Sequence, residues 1–173
     1  MKNIALISVF CLSLIWLNSC HYDQEISSIK PVNWEKRSIN YELTDSNMHS
    51  ASSYLSVYSQ IYSQSEHKKL NLTATVSIRN VNADDSVFIH SAKYFDTHGK
   101  LIRSYFKETI FIRPMETVEI VIDQLDMEGG TGANFIFDWA RKEALNDPHF
   151  EAVMISSIGQ QGLSFTTQGI KLN

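Results

Sequence analysis

Lys69-Leu70-Asn71-Leu72-Thr73-Ala74-Thr75-Val76-Ser77-Ile78-Arg79-Asn80 decides the fold class of this chain. Leu70, Leu72, Ala74, Val76 and Ile78 take alternate positions, with Asn71, Thr73, Thr75, Ser77 and Arg79 between them. A strand sends successive side chains to opposite faces, so this spacing makes one face apolar and the other polar. A helix would scatter the same residues around its axis. The segment is read as one half-buried β-strand.

Its neighbours carry the same texture. Asn80 to Asp85 is a turn cluster, Val87 to Phe95 a second strand, and Asp96-Thr97-His98-Gly99 a tight turn in which Gly99 supplies a positive φ. Lys100 to Phe106 returns. Thr109 to Ile122 is extended, with Pro114 confined to an edge, a bulge or the strand's start because it cannot donate to a ladder. Ala133 to Ala140 is a strand whose Phe135, Phe137 and Trp139 share one face. One helical turn is expected between Arg141 and His149, before Pro148. Phe150 to Ser157 and Leu163 to Gln168 pair across Gly159-Gln160-Gln161-Gly162. Short strands at this spacing predict an all-β chain: an antiparallel, immunoglobulin-like β-sandwich of about eight strands, with a barrel as the alternative.

The N-terminus gives an address. Lys2 precedes Ile4 to Leu17, which is apolar apart from Ser8 and Ser13, and Leu17-Asn18-Ser19-Cys20 follows. Such a run is too short to anchor a helix across a bilayer but fits a secretory signal. The ending resembles a bacterial lipobox, so residues 1–19 are expected to be removed and Cys20 to carry acyl chains that hold the protein on a membrane. In a cell with two membranes, His21 after the cysteine favours the outer one. Removal of 1–19 takes Cys11 and the single charge of Lys2, leaving 154 residues with a net charge of −5. With Cys20 lipidated, the mature chain has no disulfide and no cysteine metal site. At this length a single domain buries roughly two-thirds of its unfolded surface. The acidic balance lacks the basic stripe that nucleic acid requires. Residues 20–52, with serines at 27, 28, 38, 46, 50 and 52 and no sustained apolar stripe, are expected to be a flexible tether. The alternative is that Trp34 and Tyr41 dock on the domain as an added strand. The β-sandwich domain is then 53–173.

Four segments, NLTATVSIRN (71–80), YFDTHGKLIRSY (94–105), GGTGANFIFDW (129–139) and EAVMISSIGQQGLSFTTQG (151–169), resemble a family of bacterial lipoproteins known as domain of unknown function 3124. The resemblance covers about residues 53–170. It implies one exported β domain behind a lipidated cysteine, and brings no catalytic residues.

Catalytic patterns are not found. Gly162-Leu163-Ser164-Phe165 is not a nucleophile elbow. The histidines at 21, 49, 67, 90, 98 and 149 have no zinc spacing, although His90 and His98 could meet across a hairpin. Gly129-Gly130-Thr131-Gly132 lacks the Lys-Ser or Lys-Thr of a phosphate loop. No metal and no cofactor are expected. Between Arg113 and Arg141 there is no basic residue, but Glu116, Glu119, Asp123, Asp126, Glu128 and Asp138 occur. Asp123, Asp126 and Glu128 share the glycine-rich loop 123–132, whose oxygens offer a cation site as a second reading. Phe135, Phe137 and Trp139 are read as core, with a sugar-stacking platform as the alternative.

The expected function is therefore a non-enzymatic, membrane-anchored binding or assembly module of the cell envelope, with an envelope protein or glycan as partner. Small-ligand or cation binding at loop 123–132 is the alternative, and an envelope hydrolase a third reading. Counting alternating strand directions, with 109–122 as one strand, gathers Asp96, Thr97, His98, Asp123, Asp126, Glu128, Gly129, Gly130, Thr131, Gln160 and Gln161 at one end as a binding rim.

Overall fold

The computed structural model describes residues 33–39, 47–157 and 162–172. Cys20 and residues 1–19, the expected signal sequence, lie outside the described residues. The strands are Met48–Val57 (β1), Gln60–Ser63 (β2), Ser65–Asn71 (β3), Thr73–Arg79 (β4), Val87–Phe95 (β5), Leu101–Ser104 (β6), Ile110–Ile112 (β7), Thr117–Ile122 (β8), Ala133–Lys142 (β9), His149–Ser156 (β10), Leu163–Gln168 (β11) and Ile170–Leu172 (β12). All pairings are antiparallel. The larger sheet runs β12-β1-β9-β5-β6, with β7 also on β5; the smaller runs β11-β10-β4-β8. The hairpin β2–β3 forms a ribbon of its own. The chain is an all-β antiparallel sandwich, and no helix among the described residues is long and apolar enough to cross a membrane.

The alternation in Leu72–Ile78 sets the inner face of β4. Leu72, Ala74, Val76 and Ile78 have no exposed surface, and they share one core with Phe135, Phe137 and Trp139 of β9. Each opposite-facing position except Ser77 is only half-buried. Strands β4, β5, β8 and β9 pair as the four central strands of an immunoglobulin sandwich do. The flanks are exchanged: β10 lies beside β4, and β1 beside β9, where the last strand of that fold would sit.

Several boundaries differ from the expectation. Among the described residues there are twelve strands, not about eight, because the runs 69–80 and 109–122 are each broken and β1, β2 and β12 lie outside the expected runs. The run Lys69–Asn80 breaks at Leu72, whose N–H turns to the Ser59 carbonyl at 2.9 Å. Leu70 therefore pairs with Ile61 in the projecting hairpin instead of joining β4. The stretch 109–122 is two strands in different sheets, separated at Pro114 and at Met115, whose φ is +56°. Residues 143–145 form a turn, with no helix between Arg141 and His149.

The expected tether is corrected in its described parts. β1 begins at Met48, ahead of the boundary placed at Ser53. Upstream, Trp34–Arg37 is a 3-10 turn capped by Asn33. Trp34 packs on Phe106 with ring centroids 5.0 Å apart, and Ser38 bridges Ile110 on the edge of the larger sheet. Arg37 makes a two-pronged ion pair with Glu116, at 2.9 and 3.0 Å. Tyr41 lies outside the described residues.

Val76→Asp should unfold the domain, since an unpaired buried charge costs about 4 kcal/mol. Thr75→Asp, on the half-buried outer face, should cost less than about 1 kcal/mol; equal midpoints in urea would contradict this phase. The strap 33–39 should also release in acid. The hydrogen bonds from Arg37 hold the Glu116 carboxyl below its ordinary value, the Arg113 amide adds to this, and burial opposes it. A lowered folded pKa gives stability that is complete above the ordinary glutamate range and is lost as pH falls through the lowered value. The indole NMR resonance of Trp34 should shift in that window, and Arg37→Ala should shift it already at neutral pH.

Candidate functional site

Strand directions place the loops. β5 rises to Phe95, β6 and β7 both descend beside it, and β8 rises again along β4. β9 then descends beside β5, and β10 rises beside β4. The turn 96–100 and the loop 123–132 consequently emerge at one end, where β10 also ends and β11 begins. The turns 80–86, 113–116 and 143–148 occupy the other end. Gln160 and Gln161 lie outside the described residues.

Turn and loop are sewn together. The Thr97 amide and hydroxyl both donate to the Gly129 carbonyl, at 3.1 and 3.0 Å, and the same hydroxyl accepts from the Gly132 amide at 3.0 Å. The base of the hairpin joins them, with the Gln60 amide and the Ser59 hydroxyl donating to the Gly130 carbonyl at 3.0 and 3.2 Å. Asp96 Oδ1 accepts from the amides of His98 and Lys100, both at 2.8 Å, and closes a turn in which Gly99 adopts a φ of +78°. These backbone bonds, that to Lys100 first, hold the Asp96 carboxyl below its ordinary range. Gly129 is fixed by close approach: a Cβ there would stand 1.9 Å from the Tyr94 hydroxyl and 2.8 Å from Ala133. Burial pushes the titration of that hydroxyl far up.

Arg103 is the residue that sequence reasoning missed. Its guanidinium, on β6, donates to Asp126 at 3.0 Å, to Glu128 at 3.3 Å and to the Tyr105 hydroxyl at 3.3 Å. Asp126 is almost fully buried, with its side chain 3% exposed. Burial works against the Arg103 charge, yet Tyr105 and Asp126 outweigh it and raise its pKa; burial pushes Tyr105 up to about 12. Asp123 Oδ1 accepts from the Leu125 amide at 2.9 Å. Thr131 and Gly130 are half-buried, while His98 is exposed. Beside this network a cleft of about 380 Å³ is lined by Asp96, Lys100, Leu101, Ile102 and Glu128.

The acidic stretch 114–140 is dispersed by the fold, because bases arrive from other elements. Glu116 meets Arg37, Asp138 meets Lys93 at 3.2 Å, and Asp126 and Glu128 meet Arg103. Among the described residues no group of three or more His, Cys, Asp or Glu is gathered for a metal ion. His90 and His98 are not brought together: His90 Nδ1 lies 2.9 Å from the Thr109 hydroxyl across the β5–β7 edge. Burial pulls the His90 pKa below its ordinary value, with Asp138 opposing. Phe135, Phe137 and Trp139 are fully buried, which leaves no face for stacking a sugar. Ser164 is an exposed residue inside β11.

The model of the family described as protein of unknown function (DUF3124) matches residues 50–172. The chain belongs to that family. The DUF3124 match begins within β1 and ends within β12, so it takes in the sandwich and leaves out the strap 33–39. Among solved structures, the chain is similar to a crystal structure of Thermotoga maritima 1070, at 13% identity and a TM-score of 0.44, covering 69% of this chain and 92% of that one. No curated protein matches it.

Gly129→Ala should destabilise the domain by about 2–3 kcal/mol through overpacking against Tyr94. Tyr94→Phe alone should change stability by less than about 1 kcal/mol, since its buried hydroxyl makes no hydrogen bond of good geometry. Combined with Gly129→Ala it should recover part of the loss in a thermal melt; no recovery would show that the clash lies elsewhere.

Proposed function

We propose that this protein is a lipid-anchored, non-enzymatic binding domain of the bacterial cell envelope, holding an envelope protein at the rim built by 96–100 and 123–132. Three separate segments are tied there by Thr97 and Gly130 into one rigid surface, and this construction is the observation that carries the reading. Loops fixed on a scaffold are where binding residues concentrate. The strap's ion pair to Glu116 and the start of β1 lie towards the opposite end, so a chain held at Cys20 would enter the domain away from the rim. Arg103 supplies a cation to Asp126 and Glu128 within the protein itself, which favours partner binding over a cation site in loop 123–132. An outer-membrane location follows from His21 after Cys20 if the cell has two membranes.

A photo-crosslinking amino acid at Thr131 tests the rim, with one at Asp84, on the opposite end, as the control. Adducts in cells are expected from Thr131 and not from Asp84, and Cys20→Ser should abolish labelling by a fatty-acid probe. Equal adducts from both ends would remove the rim from the reading; persistent labelling of the serine variant would remove the anchor.

A further inference from the structure

We propose that the outer edge of β6, together with the cleft beside it, receives an extended basic peptide segment of another protein as an added strand. This rests on the reading of the rim as a binding surface, and names the chemistry of its partner.

Among the described residues β6 is the last strand of the larger sheet and pairs only with β5. The Tyr105 N–H is directed to the Ala92 carbonyl at 3.1 Å, and Arg103 stands opposite Tyr94. By the alternation of an antiparallel ladder, the N–H and C=O groups of Ile102 and Ser104 then face away from β5. Lower on the same edge, the chain itself shows that an extended segment fits: Ser38 bridges Ile110, and the Ile39 amide donates to the Thr109 carbonyl at 2.9 Å. Strand addition to such an edge takes its affinity from the main chain and its selectivity from the side chains beside it.

Those side chains select for basic and apolar residues. Leu101 is 49% exposed, and Leu125 and Met127 on the adjoining loop are 48% and 51% exposed. Asp96 and Glu128 line the cleft against the single ammonium of Lys100. Arg103 does not reverse this balance, because the buried Asp126 carboxylate matches its charge. The Glu128 side chain, 63% exposed, is open to a second cation.

Fluorescence anisotropy of the purified whole chain in detergent tests the proposal with labelled peptides that alternate valine with lysine or valine with glutamate. The valine–lysine peptide should bind, and added salt should weaken it. N-methylation of its edge-facing amides, or Glu128→Gln with Asp96→Asn, should weaken it about tenfold, the effect of losing one charged or main-chain hydrogen bond. Absence of binding, equal binding of the valine–glutamate peptide, or indifference to N-methylation would overturn the added strand. Thr131 adducts in cells without peptide binding in vitro would overturn the strand and leave the rim standing. Peptide binding without Thr131 adducts would support the strand and remove the rim from the functional reading.

Discussion

Phe135 stacks on Phe137 at 5.4 Å and on Tyr94 at 4.8 Å, and Phe137 carries the row across the sandwich to Phe150 at 4.4 Å. Aromatic side chains bury the largest areas available to a core, and each such pair adds about 1 kcal/mol beyond that burial. The row joins β9 and β5 of the larger sheet to β10 of the smaller, so it fixes how the two sheets face each other. Its rim end also shapes the candidate site. Tyr94 lies directly under Gly129, and Tyr105, stacked on Phe135 at 5.7 Å, turns its hydroxyl to Arg103. The rim loops are thus seated on the core, and a change in the aromatic row would move them.

The charges follow a different logic from the sequence that carries them. Residues 114–140 read as one acidic segment, but the fold sends their carboxylates to different surfaces. Asp138 shows this best. It points to the outside of the larger sheet, where Ser52, Ser91 and Lys93 offset the cost of its partial burial and leave its pKa below the ordinary range. Arg103 pairs with Asp126 and Glu128 of the rim loop from a strand about twenty residues earlier. Pairing between residues distant in the chain leaves no periodic signal, so a single sequence could show the acidity and not its compensation.

What was legible follows from the same distinction. Alternation is a local property, and it placed Ala74, Val76, Ile78, Phe135, Phe137 and Trp139 in the core. It failed in β1, where Ser53 takes an inward position among Ala51, Leu55 and Val57. That serine is tolerated because it accepts from the Trp139 indole at 3.0 Å, which cannot be seen without the partner strand. Alternation also placed Leu72 in the core, but it concealed the break there, where the pattern continues while the backbone leaves one ribbon for another sheet. The docking of Trp34 stood only as the alternative to a tether for a related reason: Trp34 and Arg37 are isolated residues in the sequence, and their partners Phe106 and Glu116 lie far along the chain.

The strand count also shows how a topological inference can outlast an error in its elements. The expected reversal between Phe106 and Thr109 does not occur, because β6 and β7 descend together along β5. The chain reverses instead at 113–116, where Met115 takes a positive φ, Glu116 accepts from the Arg113 amide, and the path crosses to the other sheet. One reversal has moved, and none has been added. Direction depends only on the number of reversals, so 123–132 still emerges beside 96–100. A similar economy appears at Gly169, where β11 passes into β12 without turning back, and its amide donates to the Phe150 carbonyl at 2.8 Å. The chain thus changes sheets at Gly169 without reversing, whereas at 113–116 it reverses as it crosses. The edge carrying β6 and β7 is one continuous line along β5, capped by the strap at its lower half and, among the described residues, unpaired beside the rim.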